Sequence, residues 1–230
     1  MRARADELGE ALEALEVRLS AACTAAGRSR TELVLIAVSK THPATDVEAL
    51  RELGVRDFGE NRDQEAKRKA AQVHAVRWHF VGGVQTNKAR SVASYADVVH
   101  SVDRPALVAA LSDGAVRAGR QLDVLLQVSL DGDPARGGAQ PPAVPALADA
   151  VAAAAGLQLV GVMAIAPSRA EPAAAFAALH DVALRLRRDH PAARAISAGM
   201  TGDLEPAIAA GATHLRVGTA LFGHRPPPLR

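Results

Sequence analysis

The sequence predicts a (β/α)8 barrel of the TIM type, an α/β fold, with an additional N-terminal helix. Three observations predict it. Eight short apolar, β-branched runs succeed one another, each followed by a helical stretch. Strict alternation with short connections implies a parallel sheet, and eight such units imply closure, at the short end of the usual barrel length. No Gly-x-Gly-x-x-Gly follows the first run, which counts against an open doubly wound sheet.

The elements follow in order. Leu8, Leu12, Leu15 and Leu19 recur at helical spacing and predict an amphipathic helix ending near Gly27. Leu33-Val34-Leu35-Ile36-Ala37-Val38 reads as a strand buried on both faces and ends at Ser39-Lys40-Thr41-His42-Pro43. Pro43 suits a first helical turn, and Val47, Leu50 and Leu53 give the apolar face of a helix closed by Gly54. Strand two is expected from Val55 to Phe58, ahead of Gly59-Glu60-Asn61 and a charged helix to about Val73. Strands then follow at Trp78 to Val81, Asp97 to Val102 and Leu122 to Leu130, with helices from near Asn87 and from Pro105 to Ala118. A loop, Asp131 to Gly138, precedes a helix reaching about Ala155. The last third holds strands at Leu157 to Ile165, Ala195 to Ser197 and His214 to Val217, with helices at Pro172 to Arg188 and Leu204 to Ala210. No Gly-, Ser- or Pro-rich linker divides the chain, so residues 1–230 are read as one domain with an irregular tail, His224 to Arg230.

Composition excludes several classes. Only four of the 27 basic residues are lysines (Lys40, Lys67, Lys69 and Lys88), and 25 acidic residues leave a net charge of +2. The basic residues are dispersed and the aromatics do not interleave with them, so no nucleic-acid platform is expected. The first sixteen residues are charged throughout, without the apolar core of a leader segment. The uncharged stretch Ala150 to Pro167 is broken by Gly156 and Gln158 and reads as a helix end followed by a buried strand, not a membrane span. Cys23 is the single cysteine, which suits a reducing, cytoplasmic setting. The eight histidines are dispersed, with no pair at i, i+4, so no metal site is expected. An arginine-rich surface of small net charge offers no clear interface, and a monomer is the expectation.

In a barrel the strand C-termini share one rim, where the chemistry sits. Collected there are Lys40, Asn61, His79 with Gly82, Ser101, Gln127 with Ser129, Met163, Ser197 with Gly199, and Arg216 with Gly218. A lysine at such an end either snorkels to water or, partly desolvated, becomes a nucleophilic amine able to form a Schiff base. The loops Ser197-Ala198-Gly199-Met200-Thr201-Gly202-Asp203 and Arg216-Val217-Gly218-Thr219-Ala220 are glycine- and hydroxyl-rich and each feeds a helix start, where barrels often bind phosphate. The combination points to pyridoxal 5′-phosphate or to a phosphorylated carbonyl substrate. Lys88 and His79 are read as structural, and Glu60 and Asp203 as carboxylates attracted to helix N-termini.

Several blocks together carry a family resemblance: Ala37 to Pro43, Phe58-Gly59-Glu60-Asn61 with Gln64-Glu65, His79 to Lys88, Met163-Ala164-Ile165, Ser197 to Asp203, and Arg216 to Gly223. The chain resembles the pyridoxal phosphate homeostasis proteins, single-domain barrels similar to the N-terminal domain of alanine racemase. The resemblance implies that Lys40 forms an internal aldimine with pyridoxal phosphate. It further implies that Ser197 and the amides of Gly218 and Thr219 make the phosphate cup, with Met200 and Thr201 beside it, that Arg216 stands near the pyridine nitrogen, and that Asn61 lines the cofactor face. The family's Ser-Lys-x-Gly after strand five appears here as Ala135-Arg136-Gly137-Gly138, which removes that lysine. A permanently charged arginine disfavours protonation of the ring nitrogen and so weakens carbanion chemistry. Alanine racemases compensate with a tyrosine from a further domain, whereas Tyr95, the only tyrosine here, is expected before strand four and away from the rim. The expected function is cofactor homeostasis or delivery, with pyridoxal phosphate-dependent apoenzymes as recipients and no catalytic residue assigned. The alternatives are a racemase or transaminase using the same Lys40, and a Schiff-base aldolase barrel.

Overall fold

The computed structural model describes residues 2–133, 136–167 and 171–223. The tail His224 to Arg230, read as irregular, lies outside the described residues, as do Pro134 and Ala135 of the loop after strand five. After α1 (Arg2–Ala25) the chain runs β1 (Val34–Val38), α2 (Ala44–Glu52), β2 (Asp57–Glu60), α3 (Asp63–Gln72), β3 (Arg77–Phe80), α4 (Ala89–Ala93), β4 (Val98–Val102) and α5 (Pro105–Ala118). It continues through β5 (Leu122–Gln127), α6 (Val144–Ala152), β6 (Leu157–Met163), α7 (Pro172–Asp189), β7 (Ala195–Ser197), α8 (Leu204–Ala209), β8 (His214–Val217) and α9 (Thr219–Phe222). The eight strands are parallel, pair in chain order and close where β8 meets β1, so the barrel read from the alternation is the fold.

Period-two alternation sends successive strand residues outward and inward. The outward set, including Ala37, Phe58, Trp78, Val99, Val124 and Leu215, joins helix residues such as Leu50, Leu107 and Leu179 in one continuous core between sheet and helices. The inward set is different in kind. Its apolar part includes Ile36, Val38 and a small separate cluster of Val98, Leu125 and Met163. Beside it lie His79, His100, Ser197 and Arg216, all at most 5% exposed and joined by hydrogen bonds. Branched apolar side chains ordinarily fill a barrel interior; here much of the filling is polar.

α1 packs on α2, α8 and α9, and its arginines tie it down. Arg4 reaches Asp46 and the Phe222 carbonyl, while Arg18 pairs with Glu205 and donates to the Thr201 carbonyl at 2.9 Å. Some boundaries move. Pro43 is the residue before α2 rather than within its first turn, and Leu53, expected on the apolar face, is 49% exposed just past the helix end. The fifth and sixth strands end at Gln127 and Met163, earlier than their apolar runs, because the chain leaves the ladder to form the rim loops.

Candidate functional site

Ile36, Val38 and Lys40 share one face of β1 and its extension, so the alternation that buries the first two inside the barrel aims Lys40 at its mouth. The residue after it, Thr41, has φ of 71°, a left-handed conformation uncommon for a β-branched side chain. Both neighbours of Lys40 are held. Lys69 Nζ donates to the Ser39 carbonyl at 2.7 Å, to Glu60 Oε1 at 2.6 Å and to Glu65 Oε1 at 2.8 Å. Ser39 Oγ donates to Glu60 at 2.7 Å, and the Thr41 amide donates to Glu65 at 2.6 Å. Burial raises the Glu60 carboxyl above the usual range against the opposing pull of Lys69, and its second oxygen is buried without a hydrogen-bond partner. This buried cluster grips the backbone on either side of the lysine.

Lys40 opens into a cavity of about 770 Å³ at the C-terminal mouth, which is also lined by Asn61, Met200, Thr201, Arg216, Gly218 and Thr219. Arg216 is 5% exposed and donates to Ser197 Oγ at 2.6 Å and to the Ala164 carbonyl at 2.9 Å. No carboxylate among the described residues forms an ion pair with it, and burial lowers its pKa to about 10, which leaves it charged at neutral pH. A desolvated cation at a cavity wall is a site for an anion or an electron-rich ring atom. Asn61 Oδ1 is likewise buried and unpartnered. Opposite, Thr201 Oγ1 accepts from the Ala220 amide at 3.4 Å, and the Met200 amide donates to Asp203 at 2.6 Å, which shapes the two glycine-rich loops around one pocket. An amine, a buried guanidinium, hydroxyls and glycine amides together suit a phosphorylated carbonyl compound.

Seven of the eight expected site residues line this cavity: Lys40, Asn61, Met200, Thr201, Arg216, Gly218 and Thr219. Ser197 does not. Its side chain is fully buried, accepting from Arg216 Nη1 and lying against His100, so in this structure it supports Arg216 and does not open into the cavity. His79 and Met163, expected at the rim, lie inside the barrel instead. Ser129 and Lys88 face other grooves, and Tyr95 is bonded to Asp63, away from the cavity. The cavity also takes in His42, Asp103 and Arg136, which had been given no role. His42, two residues from Lys40, and Arg136, in the place of the family's loop lysine, both have a signal in the sequence; His42 stacks on Phe222 at 4.8 Å, and burial lowers its pKa. Asp103 directly follows the end of β4 and reaches the mouth as the other strand ends do. Gln127, counted at the rim, is at the mouth and donates to the Arg136 carbonyl at 3.1 Å.

The alanine racemase N-terminal domain family matches residues 11–226. A pyridoxal phosphate homeostasis protein of Mycobacterium tuberculosis is 44% identical over 96% of this chain and 94% of its own, and one of Escherichia coli is 36% identical over 96% and 97%. The structure of PipY from Synechococcus elongatus with PLP bound superposes with a TM-score of 0.80 at 35% identity, over 94% of this chain and all of that one. Alanine racemase from Corynebacterium glutamicum, at 16% identity and a TM-score of 0.71, shares the fold. The chain belongs to the pyridoxal phosphate homeostasis proteins, within the alanine racemase N-terminal domain family.

Proposed function

We propose that this protein binds pyridoxal 5′-phosphate reversibly, attached covalently to Lys40, and buffers or delivers the cofactor in the cytoplasm without catalytic turnover of its own. The observation that carries the reading is one cavity shared by Lys40, the buried cation Arg216 and the loop Gly218-Thr219, in a chain 35% identical to a protein whose structure holds PLP. In that reading Lys40 supplies the amine, Thr201, Gly218 and Thr219 receive the phosphate, Met200 flanks it, and Asn61 lies along the ring. Ser197 holds Arg216 from below. When bound, the cofactor brings an aldehyde and an electron-withdrawing pyridine ring.

Arg216 sets how little chemistry follows. A guanidinium whose pKa is about 10 stays charged at neutral pH, so a proton on a ring nitrogen beside it is disfavoured and the ring remains a weak electron sink. Tyr95, bonded to Asp63, is no second base for the cavity. A cavity of about 770 Å³ open at the barrel mouth suits loading and unloading, with pyridoxal phosphate-dependent apoenzymes as recipients and a monomer as the working unit. The single cysteine, Cys23, is buried in α1, in keeping with a reducing compartment.

The test is the visible spectrum of purified protein given pyridoxal phosphate, wild type and Lys40→Ala, before and after borohydride. The reading expects an imine band in the wild type that reduction bleaches and that the variant lacks. Amino-acid racemisation or transamination lost in Lys40→Ala would replace it with an enzyme. Absence of the band, together with borohydride trapping of a sugar phosphate, would replace it with an aldolase-type barrel.

A further inference from the structure

Arg216 is one end of a longer series of buried groups. Its Nη1 donates to Ser197 Oγ at 2.6 Å, and that oxygen lies 3.0 Å from His100 Nδ1. His100 Nε2 lies 2.9 Å from His79 Nδ1, and His79 Nε2 lies 2.8 Å from Asp57 Oδ1. β4 and β7 are not neighbours in the sheet, so the contact between His100 and Ser197 spans the barrel lumen. The series runs from the cavity wall to the first residue of β2, at the opposite end of the strands, where the Asp57 side chain is 23% exposed. None of Ser197, His100, His79 or Asp57 lines the cavity.

Counting protons determines the direction. A carboxylate only accepts, and a neutral imidazole has one N–H and one lone pair. His79 therefore carries its proton on Nε2, facing Asp57, and accepts on Nδ1. His100 must then donate from Nε2 and accept on Nδ1, which leaves the Ser197 hydroxyl to donate to it while a lone pair receives Arg216. With neutral rings and an ionised Asp57, any other assignment sets two N–H groups or two lone pairs against each other. Burial holds both imidazoles below their ordinary pKa, so both are neutral near pH 7. Every hydrogen bond in the series then points away from the cavity and ends on a charge at the far mouth.

We propose that Asp57, His79, His100 and Ser197 are positioning residues for Arg216, so that a carboxylate at the far mouth of the barrel determines how firmly the cavity holds its ligand. The proposal rests on the reading of that cavity as the pyridoxal phosphate site. A one-way series orients the Ser197 lone pair toward the guanidinium; with the terminal acceptor gone, the rings can take either tautomer and the hydroxyl can turn. Loss of one such oriented bond corresponds to roughly a tenfold rise in Kd.

Two measurements test it. Long-range 1H–15N spectra of the cofactor-free wild type should show His79 and His100 both neutral with the proton on Nε2; a proton on Nδ1 of His100, or a charged ring, overturns the series whatever the cavity binds. Titration with pyridoxal phosphate should then give a Kd about tenfold higher for Asp57→Leu, with most of the loss recovered in Asp57→Asn, whose amide oxygen still accepts from His79. A folded Asp57→Leu within twofold of the wild type overturns the proposal. Should Asp57→Leu not fold, Ser197→Ala cuts the series at its other end and is held to the same criterion. A wild type that shows the expected tautomers yet takes up no pyridoxal phosphate overturns the cofactor reading and the claim on ligand affinity, and leaves the hydrogen-bond series intact.

Discussion

Lys69 Nζ lies 2.6 Å from Glu60 Oε1 and 2.7 Å from the carbonyl oxygen of Ser39, the residue immediately before Lys40. Lys69 and Glu60 are at most 5% exposed, so the attraction between them works against a large desolvation cost. The pair adds little net stability, but neither partner tolerates the loss of the other.

Lys69→Met should therefore destabilise the protein by about 3–5 kcal/mol, because Glu60 is left buried and unpaired. The pH dependence follows from the sign of the Glu60 shift. Burial raises its folded pKa above the ordinary 4.5, so the folded state binds the extra proton, and stability falls as pH rises through the interval between those two values. Removing Lys69 raises the folded value further and extends the loss to higher pH. Denaturant titrations of both proteins in acid and at neutral pH check this; an equal difference at every pH would refute it.

Gly82→Ala tests the far wall of the cavity. A Cβ at Gly82 would stand 2.6 Å from the Asn61 carbonyl oxygen and 2.9 Å from its Cα, contacts that only backbone movement relieves. The variant should lose about 1–3 kcal/mol of stability and, by displacing Asn61, weaken cofactor uptake. Gly83→Ala is the matched control, since nothing lies within 4 Å of a Cβ there. Identical melting temperatures for the two variants would count against the close approach.

The barrel and the cavity were largely legible in the sequence because both depend on period. Apolar runs mark strands, and strand ends in a closed barrel converge whatever their separation, which is how Lys40, Arg216 and Thr219 could be brought together. Two things were hidden. The second strand, read from the sequence as Val55 to Phe58, runs Asp57 to Glu60, with Gly59 facing the lumen, where a Cβ would come within 3.1 Å of the Ile36 and Val38 side chains. The polar interior was hidden for a related reason. In a strand buried on both faces hydrophobicity does not say which residues point inward, so His79 and Met163 read as rim residues.

Acid should weaken the fold through the barrel histidines. Burial lowers the pKa of His214 to about 4 from 6.5, and lowers those of His79 and His100 as well. In each case the unfolded chain takes up the proton first, so stability is full above 6.5 and is lost as pH falls from there toward the folded values. Unfolding free energy measured stepwise from neutral pH downward should decline across that window, and a His214→Asn variant should decline less steeply. A flat profile over the window would mean that these rings are not buried in neutral form.

Arg216→Met separates holding a cofactor from holding the fold. The substitution removes a buried guanidinium that has no ion-pair partner among the described residues, which is favourable, and strips the Ala164 carbonyl of its 2.9 Å donor, which is not. Each effect is on the order of 1–3 kcal/mol, so stability should change by no more than about 2 kcal/mol in either direction. Affinity for pyridoxal phosphate should fall at least about tenfold, since the cation at the cavity wall is gone. Arg216→Lys should not restore it, because one ammonium on a flexible stem cannot span Ser197 Oγ and the Ala164 carbonyl as the planar fork does. Parallel denaturation and cofactor titrations decide the matter. A large loss of stability with unchanged affinity would make Arg216 a structural residue of the barrel, whereas the expected split makes it a group whose desolvation the fold carries for the sake of the ligand.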